Sequence, residues 1–184
     1  MAELDRLKME LSNARHRVSE LEDLADEDPL VPTLNRRGFV RELERVIAYV
    51  NRYKARACIV YIDLDGFKQI NDQHGHAAGD EALKFIAEFL LANVRGSDIV
   101  GRLGGDEFAV VLQQTKLAVA GAKAAQLENS LAEKVFLYQG RNVGLSFSAG
   151  AAEITGGSSV AEIFERADKA MFARKKVKHS DGTD

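Results

Sequence analysis

Short apolar runs alternate with longer amphipathic segments along most of this chain, and that alternation limits the folds that it can adopt. The runs that favour buried strands are residues 57–63, 99–103, 108–113 and 143–154. Helical periodicity extends over residues 35–53, a short segment near Phe67, and residues 80–94, 116–135 and 160–177. Elements in this order predict an α+β sandwich in which helices pack on a sheet.

The two prolines of the chain, Pro29 and Pro32, fall in one short stretch. Proline disfavours helix at its own position and at the residue before it, so this stretch marks a boundary. It separates a helical arm, residues 1–27, from a globular domain, residues 28–179, and residues 180–184 form a short polar tail. A chain of 184 residues that is 46% hydrophobic can bury one core and still carry such an arm.

Apolar or small residues recur in the arm at alternating spacings of three and four, which is a heptad pattern. The a positions are Leu4, Leu11, Val18 and Ala25, and the d positions are Leu7, Ala14 and Leu21. A parallel partner would pair g and e positions of opposite charge, namely Glu3 with Lys8, Glu10 with Arg15, and Arg17 with Glu22. This pattern predicts a parallel two-stranded coiled coil that makes a homodimer. The alternative is an amphipathic helix that lies on its own domain.

Charge and hydropathy exclude two classes of partner. The net charge is only −3, which gives no electrostatic basis for binding DNA or RNA. No stretch approaches the roughly 20 apolar residues of a membrane span, and the charged start of the chain is unlike a signal peptide. We therefore expect a cytoplasmic protein with no nucleic-acid partner and no membrane contact.

Acidic residues form two groups that are distant in the sequence, and each group follows or joins predicted strands. Asp63 and Asp65 come directly after a buried run, and Asp106 and Glu107 lie between two runs that favour a hairpin. Hard cations such as Mg²⁺ prefer oxygen ligands and keep several waters, which leaves room for phosphate groups. Carboxylates from neighbouring strands with a lysine nearby suit metal-dependent phosphoryl transfer. The glycines before Asp106 permit positive φ and let a bulky substrate approach the backbone.

Other interpretations of these segments are weaker. Gly104 and Gly105 alone could belong to an ordinary hairpin turn. A calcium loop starting at Asp63 needs glutamate at its twelfth position, where this chain has His74. His74 and His76 lack the further cysteine or histidine that a zinc site needs nearby.

Three segments, in order and at fixed spacing, resemble the GGDEF family of diguanylate cyclases, and the match covers about residues 28–175. The first segment contains Asp63, Asp65, Phe67, Lys68, Asn71, Asp72, Gly75, His76, Gly79 and Asp80. The second contains Arg102 and the run Gly104-Gly105-Asp106-Glu107-Phe108. The third contains Ala167, Asp168, Ala170, Met171, Phe172 and Lys175.

The resemblance implies a βααββαβ sandwich with the ferredoxin-like core of nucleotide cyclases, preceded here by the coiled-coil helix. It implies an enzyme that condenses two GTP molecules into cyclic di-GMP and two pyrophosphates, using Mg²⁺ or Mn²⁺, two ions per active site. Asp63, Asp106 and Glu107 are then metal ligands, with the Leu64 carbonyl completing the shell. Glu107 is also the candidate general base, and all three acidic residues count as catalytic.

The resemblance also assigns substrate contacts. Lys68 and Lys175 correspond to lysines that contact the triphosphate, while Phe67, Gly104 and Gly105 line the substrate site. Asn71 and Asp80 match the positions that recognise guanine, whose N1–H and amino group adenine lacks. These two residues disfavour an adenylate-cyclase-like role.

A second site is implied upstream of the hairpin. Arg95 and Asp98 resemble the inhibitory RxxD site of the family, where the product cyclic di-GMP binds. Two departures from the family pattern stand out: His179 replaces an arginine that often supports phosphate, and Val31-Pro32 replaces Thr-Gly. The rival functions are a non-enzymatic cyclic di-GMP receptor and a GTP-binding dimerisation module without turnover.

Overall fold

A computed structural model of the chain describes Met9 and residues 26–181, with side chains up to Lys176. The predicted coiled coil therefore lies almost entirely outside the described residues, as do the last three residues of the tail and the side chain of His179. Within the part that is described, no helix combines the length and the apolarity needed to cross a bilayer.

The described elements follow the predicted alternation of helices and strands. The five helices are α1 (Arg36–Tyr53), α2 (Phe67–His74), α3 (His76–Asn93), α4 (Leu117–Ala132) and α5 (Val160–Asp181). The six strands are β1 (Ala57–Leu64), β2 (Ile99–Gly104), β3 (Glu107–Gln113), β4 (Phe136–Tyr138), β5 (Arg141–Val143) and β6 (Phe147–Ile154). The predicted α+β class is confirmed.

Four strands form the main sheet in the order β2-β3-β1-β6, and the pairings recorded between them are antiparallel. Strand β1 is central and nearly all of its residues are buried, because helices cover both faces of the sheet. Alternate residues of β1 point to opposite faces. Cys58, Val60 and Ile62 pack in the core with α3 and α4, while Ile59 and Tyr61 pack in the core with α1 and α5.

A small hairpin interrupts the predicted order and was missed by the sequence analysis. Strands β4 and β5 pair through a turn in which Gln139 and Gly140 have φ values of 49° and 76°. Phe136 and Val143 are buried against residues of α2 and α3. Strands of three residues are too short to show alternation, so their pattern gave no signal. Helix α3 also begins four residues earlier than predicted, at His76.

The segment before α1 is fastened to the domain by its backbone. The N–H of Asn35 donates to the carbonyl of Asp26 at 2.7 Å, and the N–H of Leu34 donates to the carbonyl of Val100 at 3.2 Å. The carboxylate of Asp26 is almost fully buried and pairs with Arg37 and Arg41 of α1. Asp26, at the start of the continuously described residues, therefore anchors this segment to α1.

Candidate active site

Strand pairing brings the two acidic groups together. Asp63 at the end of β1 is the register partner of Glu107 at the start of β3. The N–H of Leu64 donates to the carbonyl of Asp106 at 3.2 Å, so the hairpin turn lies directly beside the end of β1. The side chains of Asp63, Asp106 and Glu107 are all partly exposed. Asp63 and Asp106, which are 43 positions apart in the sequence, thus lie at the same open edge of the main sheet.

Lys175 of α5 adds a positive charge to this edge. Its Nζ bonds Asp63 Oδ1 and lies 3.7 Å from Asp65 Oδ1. Burial by itself lowers the pKa of Lys175, but the hydrogen bond and charge of Asp63, with the charges of Asp65 and Asp106, outweigh it and raise the pKa overall. The ammonium therefore stays protonated at neutral pH beside these carboxylates.

Asp65 is held differently from its neighbour. Its Oδ1 accepts a hydrogen bond from Ser148 Oγ at 2.9 Å, and its Oδ2 accepts one from Ser146 Oγ at 3.3 Å. The N–H of Asp65 also donates to the carbonyl of Ser146. These bonds fasten the loop after β1 to the start of β6, so Asp65 shapes the site while Asp63 faces Lys175.

The glycines of the hairpin leave its surface open to a ligand and do not provide an unusual backbone conformation. Neither Gly104 nor Gly105 has a positive φ, so that expectation from the sequence is wrong. A Cβ at Gly105 would meet no atom within 4 Å, and one at Gly104 would lie 3.5 Å from Glu107 Oε2. Their lack of side chains keeps the surface next to Glu107 clear for a ligand.

Arg102 joins the hairpin turn to the segment before α1 by hydrogen bonds. Its Nε and Nη2 donate to the carbonyl of Gly105 at 3.1 and 2.9 Å, and its Nη1 donates to Asp28 Oδ1 at 3.2 Å. Both side chains of this ion pair are largely buried. The planar guanidinium places two N–H donors on the Gly105 carbonyl and a third on Asp28, an arrangement that the compact ammonium of lysine does not reproduce. The sequence analysis placed Arg102 in the second motif segment but gave it no role.

The residues predicted to recognise guanine gather where α2 meets α3. Helix α2 starts three residues after β1 ends, following Gly66, whose φ is 68°. A Cβ on Gly79 would lie 2.1 Å from Asn71 Oδ1 and 3.1 Å from Phe67 Cζ. Asn71 and Phe67 therefore pack directly on Gly79, and exposed Asp80 is the next residue. Lys68 is exposed, and its ammonium makes no hydrogen bond or ion pair with residues 26–176.

The RxxD pair lies at the opposite end of β2 from the hairpin turn. Asp98 Oδ2 accepts from the N–H of Arg95 at 2.9 Å, and its Oδ1 accepts from the N–H of Gln113 at 3.1 Å. Asp98 thus stabilises its own turn, whereas the Arg95 side chain is exposed and unbonded among the residues whose side chains are described. Both residues line a cavity of about 480 Å³ together with Lys123 and Gln126.

A partly buried ion pair behind the site was not predicted. Glu128 of α4 accepts the N–H of Ala149 in β6 at 2.7 Å and pairs with Arg174 Nη2 at 2.7 Å. Arg174 immediately precedes Lys175, so the pair ties the end of α5 to the sheet beside the carboxylates. A lone glutamate in a helical segment carries no sequence signal for such a contact.

The donor set fits a hard divalent cation. Carboxylates of Asp63, Asp106 and Glu107 and the backbone of Leu64 lie on one edge, and Asp63 already accepts one cationic group, the Lys175 ammonium. Within residues 26–176, no three acidic, histidine or cysteine side chains close on a single point. Carboxylate and carbonyl oxygens are the type of donor that a hard divalent cation such as Mg²⁺ prefers.

The model of the family described as diguanylate cyclase, GGDEF domain, matches residues 25–181 of this chain. The chain belongs to the GGDEF diguanylate cyclase family. This membership confirms the resemblance drawn from the three motif segments, and the βααββαβ core is the one seen in solved GGDEF domains.

Named relatives agree with this membership. The chain is 34% identical over 167 residues to the probable diguanylate cyclase DgcE of Escherichia coli strain K12, a match that covers 90% of this chain and 15% of that protein. It is 35% identical over 150 residues to the diguanylate cyclase DgcP of Pseudomonas aeruginosa, covering 82% of this chain and 22% of that protein. The GGDEF domain thus corresponds to less than a quarter of either relative.

Two solved structures are similar over most of the chain. One is the coiled coil and GGDEF domain of DgcB from Caulobacter crescentus in complex with c-di-GMP, with a TM-score of 0.82, 26% identity and coverage of 95% of this chain and 93% of that one. The other is the diguanylate cyclase SiaD of Pseudomonas aeruginosa in complex with its activator SiaC. It has a TM-score of 0.78, 28% identity and coverage of 95% and 70%.

Proposed function

We propose that this chain condenses two GTP molecules into cyclic di-GMP and two pyrophosphates. The observation that carries the proposal is the pairing of Asp63 with Glu107 across β1 and β3, beside the Lys175 ammonium, in a chain of the GGDEF family. The site lies on an open edge rather than in a closed cavity, which suits a reaction shared between two domains.

Each residue then has a defined part in the reaction. Asn71 and Asp80 bind the guanine edge, while Lys68 and Lys175 hold the triphosphate. Mg²⁺ or Mn²⁺ ions held by Asp63, Asp106, Glu107 and the Leu64 carbonyl supply charge neutralisation at the triphosphate.

Bond formation requires a proton acceptor near the attacking hydroxyl. Glu107 accepts the proton of the 3′-hydroxyl of the partner GTP, and the resulting oxygen attacks the α-phosphorus. One O3′–P bond forms, the bond between the α-phosphorus and the bridging oxygen breaks, and pyrophosphate leaves. The same step with the roles of the two nucleotides exchanged closes the ring.

Two domains must meet, because each carries one GTP site. We assign this task to residues 1–27 as a parallel coiled coil, preceding the cyclase domain of residues 28–179 and the tail of residues 180–184. The heptad pattern and the similarity to the crystallised coiled coil and GGDEF domain of DgcB support this assignment. Such a coil raises the effective concentration of one half-site near the other. We place the reaction in the cytoplasm, where GTP is available.

The direct test is incubation of the purified full chain with GTP and Mg²⁺, followed by chromatography for cyclic di-GMP and an assay of pyrophosphate. We expect one cyclic di-GMP for every two pyrophosphates, no cyclic dinucleotide from ATP, and no turnover after chelation of the metal. Binding of cyclic di-GMP without turnover would instead identify a receptor. Binding of GTP without turnover would identify a dimerisation module.

We also propose that Arg95 and Asp98 bind cyclic di-GMP and inhibit the enzyme. The exposed Arg95 guanidinium beside an open cavity can make bidentate contacts to guanine or phosphate acceptors. We expect Arg95→Ala to raise the concentration of cyclic di-GMP that halves the rate by about tenfold or more, because charge-assisted contacts of about 1.5–3 kcal/mol are lost. The measurement is the initial rate against added product.

Arg141→Ala is the matched control, since Arg141 is also exposed but lies on the β4–β5 hairpin. Its inhibition curve should follow that of the unchanged chain. If Arg95→Ala and Arg141→Ala were inhibited equally, the inhibitory role of Arg95 would be rejected.

A further inference from the structure

A buried tyrosine contacts the candidate general base. Tyr61 of β1 lies two residues before Asp63, so its side chain is on the same face of the sheet. Its Oη donates a hydrogen bond to Glu107 Oε1 at 2.8 Å. Tyr61 lies outside the three motif segments, the first of which begins at Asp63.

The surroundings fix the tyrosine ring in place. Tyr61 is 8% exposed and belongs to the apolar cluster that contains Phe39 and Ile59. The ring of Phe164 meets it edge-on, with centroids 6.1 Å apart. A hydroxyl buried in such a cluster destabilises the folded protein when it has no hydrogen-bond partner. The bond to Glu107 is therefore strongly preferred. The apolar cluster therefore fixes the Tyr61 ring, and the Tyr61 hydroxyl fixes the Glu107 carboxylate.

The direction of this hydrogen bond follows from the chemistry of the two groups. A phenol supplies one O–H donor and a carboxylate only accepts, so Tyr61 donates and Glu107 accepts.

The two oxygens of Glu107 consequently face different environments. Oε1 points into the domain toward Tyr61, and Oε2 lies 3.5 Å from the position that a Cβ on Gly104 would occupy, at the open hairpin. We propose that Tyr61 is a positioning residue for Glu107: it holds Oε1 and turns Oε2 toward the substrate and the metal. This inference rests on the proposed cyclase function.

A positioning role predicts a loss in turnover without a matching loss of stability or substrate affinity. We expect Tyr61→Phe, in the full chain with GTP and Mg²⁺, to lower kcat about tenfold. The KM for GTP should stay within about twofold, because the hydrogen bond of Tyr61 goes to Glu107 and not to a residue assigned to guanine or the triphosphate. Tyr138→Phe, in the half-buried tyrosine of β4, is the matched control and should leave kcat unchanged.

A second variant tests the same contact from its other end. Glu107→Asp keeps the carboxylate but draws it back from Tyr61 by one methylene. If Tyr61 acts through Glu107, adding Tyr61→Phe to Glu107→Asp should change kcat less than twofold, since residues that act as a unit are not additive. An independent tenfold loss in the double variant would contradict the positioning role.

The outcomes separate this inference from the proposed function. An active wild-type chain whose Tyr61→Phe variant keeps kcat within twofold overturns the role of Tyr61 and leaves the cyclase function intact. A Tyr61→Phe variant with a lower kcat, a higher KM and a correspondingly lower melting temperature would show that the tyrosine is purely structural. That result also overturns the positioning role. A wild-type chain that makes no cyclic di-GMP defeats the proposed function itself.

Discussion

The Glu107→Gln variant is expected to bind GTP and yet form cyclic di-GMP at least about 100-fold more slowly than the unchanged chain. General base catalysis contributes about 10²–10⁴-fold to such reactions, and an amide cannot accept the proton of the 3′-hydroxyl. The amide oxygen can still accept the hydrogen bond of Tyr61 Oη, so the hairpin should keep its geometry. Steady-state product formation and calorimetric titration with a non-hydrolysable GTP analogue measure the two quantities separately.

A matched control for this variant is Glu165→Gln, at an exposed glutamate of α5 that pairs with Lys169. It changes the net charge equally but lies outside the proposed machinery, so its rate should match that of the unchanged chain. Turnover of Glu107→Gln within tenfold of normal would remove Glu107 from proton transfer and leave binding and metal ligation as its only roles.

The Gly150→Ala variant is expected to lose about 3 kcal/mol of unfolding free energy, the upper part of the usual range for overpacking. A Cβ at this position in β6 would lie 2.0 Å from the backbone nitrogen of Met171 and 2.5 Å from its Cα. Those atoms belong to the backbone of α5, so no side-chain rotation can relieve the clash. Urea unfolding followed by circular dichroism measures the loss.

The same variant should impair activity, because α5 must move away from the sheet and Lys175 moves with it. Gly144→Ala is the control, since a Cβ there meets no atom within 4 Å. Equal stability of the two variants would show that α5 does not pack on β6 as closely as described.

The motif residues could be predicted from the sequence because their positions follow from local rules. The apolar run that ends at Asp63 indicated a buried strand, and the glycines before Asp106 indicated a hairpin. Once these strands pair, Asp63 and Glu107 are register partners, so the two acidic segments lie side by side. The coiled coil of residues 1–27 stays a prediction.

Contacts that depend on tertiary packing could not be predicted. Tyr61 and Glu107 are 46 residues apart, as are Glu128 and Arg174, and neither pair shows a spacing that links its members. A tyrosine in a buried run resembles any other core residue until the register of β1 and β3 is known. The β4–β5 hairpin was not predicted for a different reason, because strands of three residues are too short to show a recognisable alternation.

The hydrogen bonds of Arg102 have a mechanical consequence. Arg102 joins the hairpin turn at Gly105 to Asp28, and the backbone around Asp28 is anchored to α1 through Asp26. A short series of polar contacts thus connects Asp26 to Gly105 without passing through the apolar core. The position of the backbone at residues 26–28 and the position of the turn that bears Asp106 and Glu107 are therefore linked directly by polar contacts.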